Sequence, residues 1–401
     1  IVAHVLLPLY YKLNLTSIYG YLGTRIGVHT YRTGSFFFLL SRMLGTAAKL
    51  YLVCLILHTH VFQEMHIPFW VIAVGSVTLV WIYTHKSGIK TIVWTDTLQT
   101  FCLIAALLFI IYFTIQKLDT GFDGIVQTIR NSEHSRIFVF DDWISRQNFF
   151  KQFFSGIFIV IVMTGLDQDM MQKNLSCRNL REAKKNMYCY GFSFIPLNFL
   201  FLCLGILLLA LAGQMQLELP AMNDDILPMF ATQGYLGHSV LILFTIGIIA
   251  AAFSNSDSAL TAMTTSVCID LLNTEKDTEE VARRKRKRVH LLLSVLLAFF
   301  ICLVEMLNNK SVIDAIYIIA SYTYGPLLGM FAFGLFTRRQ TNDRLVPLIA
   351  IASPVLCYAL DWWISKETGY KFGYELLMLN GSLTFAGIML LSGKEKAVKT
   401  P

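Results

Sequence analysis

Long apolar runs separated by short polar breaks set the pattern of this chain. They fall at roughly 35–61, 68–85, 91–116, 150–172, 187–213, 238–271, 288–307, 311–337, 344–363 and 374–392, with a partial run at 1–10. Each of the ten is about long enough to cross ~30 Å of hydrocarbon as a helix rising about 1.5 Å per residue. The run at 238–271 is too long for one straight crossing and is expected to project past the membrane. The pattern predicts an all-α polytopic membrane protein, with residues 1–401 forming one transmembrane bundle.

Composition agrees. Hydrophobic residues make up 55% of the chain and charged residues 15%, against about 25% charged in a soluble domain. The net charge of +7 would suit nucleic acid, but its placement argues against that partner. Loops 11–34, 86–90, 173–186, 272–287 and 338–344, the tail after 393 and Arg288 hold 23 of the 33 Lys and Arg, and the opposite loops hold 7. By the positive-inside rule the basic side, including the C-terminus, is cytoplasmic, and the partner is the lipid bilayer. The run A-R-R-K-R-K-R-V-H at 282–290, in the basic stretch 272–290, follows T-E-K-D-T-E-E and reads as a helix-extending topogenic segment. Outer loops 117–149 and 214–237 are expected to carry short interfacial helices. The eight cysteines show no C-x-x-C or Cys/His spacing and read as small buried hydrophobes. The chain starts at Ile1 with no Met and no signal-peptide pattern, so a piece of a longer protein is expected.

Ionisable residues inside membrane segments are costly and mark functional positions. Four stand out: Lys49, Asp96 in T-I-V-W-T-D-T-L-Q-T, Asp167 in M-T-G-L-D-Q-D-M-M-Q-K, and Asp257 in A-A-F-S-N-S-D-S-A-L-T-A-M-T-T. In the last stretch Ala251, Ser254, Asn255 and Ser258 share one helical stripe, and Ser254, Asp257, Ser258 and Thr261 form another beside it. Such hard oxygens suit a hard cation, and one carboxylate among neutral oxygens suits a monovalent one. Serines alone read as helix–helix glue; Asp257 and Asp96 tip the reading toward an ion site. Asp167 lies near a segment end, where a solvated position and a functional one both fit. Arg42 is expected to snorkel to the cytoplasmic interface. Lys49, seven residues on and deeper, needs a partner, either an interior carboxylate or an anionic substrate. Gly156, Gly165 and the Gly325–Pro326 pair are candidate helix breaks. No nucleophile–base pair, metal cluster or phosphate loop emerges, so an enzyme is not expected. No ring or filter motif marks a channel.

These residues resemble a known family. L-T-S-I-Y-G-Y-L-G-T-R-I-G (15–27), W-T-D-T-L-Q-T (94–100), D-Q-D-M-M-Q-K, the serine-rich stretch and G-P-L-L-G-M-F-A-F-G-L-F (325–336) occur in the order found in sodium:solute symporters, which include sodium–glucose, proline and sialic acid symporters. The resemblance implies a LeuT-type fold of two five-helix inverted repeats and one transporter domain. It implies sodium-coupled import of a small organic solute, a sugar or an organic anion, by alternating access across the plasma membrane. Residues 1–10 would end core helix 2, leaving core helix 1 missing. Carried over, the main sodium site takes the Ala251 carbonyl and Ser254, with Asn255 where the family has a hydroxyl. A second site takes Asp96, Ser254 and Ser258, with Asp257 where some members have a hydroxyl. The sugar-binding positions fall on Val160, Met163 and Thr164, near Phe194 and near Ile318. None keeps the sugar-binding residue type, so the family is accepted and the sugar declined. Of these Met163, Thr164, Phe194 and Ile318, with Lys49, form the candidate solute contacts. A proton-coupled transporter, which Asp257 would suit, and an ion channel stand as alternatives.

Overall fold

The computed structural model describes residues 1–84, 89–143, 145, 147–220, 223–307 and 312–393, and among them no β-strand occurs. The helices are α1 (Leu7–Lys12), α2 (Gly20–Arg25), α3 (Val28–Ile56), α4 (Phe69–Thr84), α5 (Ile89–Leu118), α6 (Phe122–Asn131), α7 (Phe149–Val160), α8 (Gln168–Leu175), α9 (Leu180–Gln214), α10 (Ile226–Thr232), α11 (His238–Ser266), α12 (Glu279–Leu307), α13 (Val312–Phe336), α14 (Val346–Thr368) and α15 (Leu376–Leu390). Among the described residues seven helices are long and apolar enough to cross a membrane, and the bent pair Phe149–Gly165 and Gln168–Leu175 makes an eighth if it is one span. The remaining two of the ten expected runs form the shorter apolar helices α4 and α15. The run at 238–271 is, as expected, one long helix, continuing through a π-helical turn to Leu271.

The bundle is organised around α3, which packs against α2, α4, α11, α12 and α13. α5 lies along α11, and α13 along α15. One apolar core joins α1–α4 to α11–α13, and a second lies among α5, α9, α10 and α11. α6 is amphipathic with no buried residue, as an interfacial helix should be. α10 departs from that expectation. Pro228, Met229, Phe230 and Ala231 are buried, so it plugs into the second core instead of lying on the surface. The basic run extends α12, as expected, although His290 at its end is buried between the hydroxyls of Thr84 and Thr264, at 3.0 and 3.1 Å.

Of the candidate breaks, only the one at Gly165 interrupts a helix. α7 runs through Gly156 and α13 through Pro326. After a π-helical turn at Ile161–Gly165 the chain bends by 59° into α8. A Cβ at Gly165 would lie 2.5 Å from a Leu6 methyl, so the bend is held against the N-terminal helix. The carbonyls it frees are satisfied by buried hydroxyls: Tyr10 donates to Gly165 O and Tyr19 to Leu166 O, both at 2.9 Å. Asp167 caps α8, its Oδ1 accepting from the amides of Asp169 and Met170 at 2.9 and 3.2 Å, as an N-cap carboxylate does.

A second carboxylate caps α3 from outside the membrane segments. Asp343 accepts from the amides of His29 and Thr30 at 2.8 Å each and from the Thr30 hydroxyl at 2.6 Å. Partial burial alone would raise its pKa; the Thr30 side chain and the two amides outweigh this and hold it below the ordinary carboxylate value. A depressed folded-state pKa adds stability above about pH 4, which is lost as pH falls through the folded value. Asp343→Asn is therefore expected to lower the thermal midpoint at pH 7 and to flatten its acid dependence, the loss being about 1 kcal/mol. Melts of the purified protein between pH 3 and 7 read both effects.

Candidate ion and solute site

The serine-rich stretch of α11 meets α5, α4 and a cavity, and its polar residues divide among these and the helix itself. Ser254 Oγ donates to Asp96 Oδ1 on α5 at 2.7 Å, and Ser258 Oγ reaches Asp96 Oδ2 at 3.4 Å. Asp257, fully buried, accepts from the Tyr83 hydroxyl on α4 and from the Ser258 amide. Asn255 is exposed to a cavity, and its amide donates to the Ala251 carbonyl at 3.3 Å. Ser256 returns to its own helix, donating to Ala252 O at 2.8 Å.

That cavity, about 330 Å³, is lined by Ala251, Ala252, Asn255 and Ser256 on one side and by Lys49, Leu50, Leu52 and Val53 of α3 on the other, with Met163 and Ile316 between. Its size falls in the range of small-molecule sites, about 300–1,000 Å³. A narrower extension runs past Ser41, Arg42, Thr46 and Tyr324. Lys49 therefore faces the cavity, and it makes no hydrogen bond or ion pair with a described residue.

Met163 joins Lys49 on this wall. Thr164 is buried in the π-helical turn behind it, and Val160 is 54% exposed. Phe194 and Ile318 do not line the cavity: they are 57% and 45% exposed. The α13 residue that does is Ile316, two positions earlier, which on a helix is more than half a turn away.

One expectation about charges is corrected, and one open reading is narrowed. Arg42 does not snorkel. It bonds Asp169, lies 3.6 Å from Asp167, and its side chain is 13% exposed. Asp167 is not solvated; it is fully buried and also accepts from the Tyr324 hydroxyl at 2.5 Å. The bend after Gly165 carries both acids inward onto α3. Sequence reasoning also missed Lys173, assigned there to a cytoplasmic loop. It lies in α8, and its ammonium contacts Asp96 Oδ2 at 2.7 Å. Its place in D-Q-D-M-M-Q-K, four residues after Asp169, was the available signal.

The donors fit a small monovalent cation. Asp96, Ser254 and Ser258 converge, and an ammonium already sits against the carboxylate. Gln99, one turn from Asp96 on the same face, has a buried Oε1 without a hydrogen-bond partner. Among the described residues no group of three or more His, Cys, Asp or Glu could hold a metal, so the site offers hydroxyl, amide and single carboxylate oxygens.

A sequence model described as the sodium:solute symporter family matches residues 1–344. The chain belongs to the sodium:solute symporter family. It is a membrane transporter and not an enzyme, and sodium is the family's ion. A sodium/sialic acid symporter of Aliivibrio fischeri is 27% identical over 94% of this chain and 75% of its own length. The human sodium/iodide cotransporter is 24% identical over 83% of this chain, which spans only 52% of that protein. A solved structure of a Na+-coupled sialic acid symporter, in a substrate-bound outward-open state, superposes with a TM-score of 0.81 at 21% identity, covering 97% of this chain and 79% of that one. The fold is thus the LeuT-type bundle expected of the family.

Proposed function

We propose that this symporter couples sodium to the import of a small organic anion by alternating access, as one transporter domain in the plasma membrane with its C-terminus cytoplasmic. The observation that carries the anion is Lys49, a cavity-wall cation that makes no hydrogen bond or ion pair with a described residue. A charge held in a low-dielectric site calls for compensation, and a carboxylate in the cavity supplies it. Arg42 in the same cavity wall is already matched by Asp167 and Asp169, which leaves Lys49 as the anion's contact. The names of the relatives agree: sialic acid and iodide are an acid and an anion.

Sodium would bind at Ala251, Ser254 and Asn255 beside the cavity, and at Asp96, Ser254 and Ser258 behind it. An inward membrane potential adds roughly 2.3 kcal/mol per charge per 100 mV. The test is uptake of labelled small carboxylates and neutral sugars into proteoliposomes, with sodium or choline outside. Carboxylate uptake is expected only in sodium, with Lys49→Met raising KM by tenfold or more. Sodium-driven uptake of a neutral sugar, untouched by Lys49→Met, would overturn the anion.

A further inference from the structure

The ammonium of Lys173 stands where a cation would bind at Asp96, and it is within reach of a second carboxylate. It contacts Asp96 Oδ2 at 2.7 Å and lies 3.9 Å from Asp169 Oδ1. The Asp96 oxygens also take the hydroxyls of Ser254 and Ser258, so the lysine fills a pocket of oxygens shared by α5, α8 and α11. Asp169 is simultaneously held by Arg42, so it does not need Lys173 as its main partner. The linked set has three carboxylates, Asp96, Asp167 and Asp169, and two cations, Arg42 and Lys173. It is one positive charge short.

We propose that Lys173 is a tethered competitor of sodium: it holds Asp96 when sodium is absent and moves to Asp169 when sodium takes its place. This rests on the sodium-coupled reading above and goes beyond it, naming the residue that sets how tightly the Asp96 site binds its ion. Two features make the exchange feasible. Lys173 is 29% exposed on a flexible four-carbon stem. Its landing place is one helical turn away on its own helix, so α8 need not unwind for the lysine to change partners. Sodium then supplies the positive charge that the linked set lacks, and Asp96 faces a cation in both states. The exchange also ties the ion to the cavity. Asp169, which receives the lysine, is bonded to Arg42, and Arg42 lines the cavity's narrow extension.

The experiment is equilibrium binding of 22Na+ to the purified transporter at constant ionic strength, choline replacing sodium, with no solute added. A tethered group competes at an effective concentration of millimolar or more. Lys173→Met is therefore expected to lower the sodium midpoint at least about tenfold. Lys173→Arg keeps the parental midpoint, Asp169→Asn raises it, and Asp96→Asn added to Lys173→Met cancels the gain. Should the methionine variant not purify as a single species, Lys173→Gln serves in its place. An unmoved midpoint in the lysine variants, with the parent binding sodium normally, makes the contact a structural ion pair and overturns the proposal. A parent that binds no sodium overturns the coupling reading itself, which is a distinct result.

Discussion

Arg42→Met is expected to cost about 3–5 kcal/mol of stability, because it leaves buried carboxylates without their cation. Asp167 is fully buried and Asp169 nearly so. Asp167 keeps the Tyr324 hydroxyl and two backbone amides, and these soften its loss. Asp169 keeps only Lys173, which can approach it fully only by leaving Asp96. Adding Asp169→Asn to Arg42→Met is therefore expected to restore part of the stability, whereas Asp169→Asn in the native background is the milder change. Thermal melts and SDS titrations of the three variants in detergent measure the pattern. Equal stability of Arg42→Met and the parent would mean that the pair is not desolvated.

The ten apolar runs were legible because their length is set by the bilayer and by helix rise, which are local properties. The break at Gly165 was legible from the glycines that bracket an apolar run, a pattern that also marked Gly156, where the helix continues. The serine-rich face of α11 and Asp96 were legible as partners only in outline. Helix periodicity assigns Ser254 and Ser258 to one stripe, but it does not say that Asp257 is one turn aside on Tyr83. Arg42 was misread and Asp167 left open for a single reason: the 59° bend redirects α8, and no local pattern records which distant helix the redirected acids meet. Lys173 was misplaced with them, since the sequence shows a lysine at a segment edge and not the carboxylate of α5 across from it. Ile316 against Ile318 is a matter of helix rotation, fixed by how α13 packs on α3 and α15. α10 went inside because its Pro-Met-Phe-Ala stretch fills a gap between α9 and α11 that only the assembled bundle creates.

The second large effect is expected at the α13–α15 contact. A Cβ on Gly329 would lie 2.5 Å from Thr384 Cβ and 2.6 Å from the Gly381 carbonyl oxygen. The side chain can be trimmed, but the carbonyl belongs to a helix backbone and moves only with α15. Gly329→Ala should thus destabilise the transporter by about 1–3 kcal/mol through overpacking, and a larger residue by more. Close approach through small residues is the ordinary way membrane helices pack. Combining Gly329→Ala with Thr384→Gly is expected to recover only part of the loss, because the carbonyl obstacle remains. Melts of the single and double variants check this, and full recovery would mean that the backbones yield more readily than the contact implies. Asn380 sits in the same seam, donating to Ser321 O and Tyr322 O at 3.0 Å while accepting from the Ser353 hydroxyl at 2.6 Å. This contact therefore fixes the register of α13, and with it the side of that helix that meets the cavity.

The joint at Gly165 has an unequal pair of arms. α7 leaves it as a plain apolar helix, but α8 is gripped at both ends by residues 10–19, far from it in sequence. Tyr10, Tyr19 and the Gln168 bonds to Ile18 N and Thr16 O hold its start, and the Tyr11 hydroxyl holds its end through Asn174 O and Cys177 O. The short arm of this joint is consequently not a free flap. Arg42, Asp96 and Tyr324 also tie it to α3, α5 and α13, so α8 and residues 10–19 form one wedge seated in the bundle, and a staple between Tyr11 and Cys177 would stiffen that wedge without locking the joint.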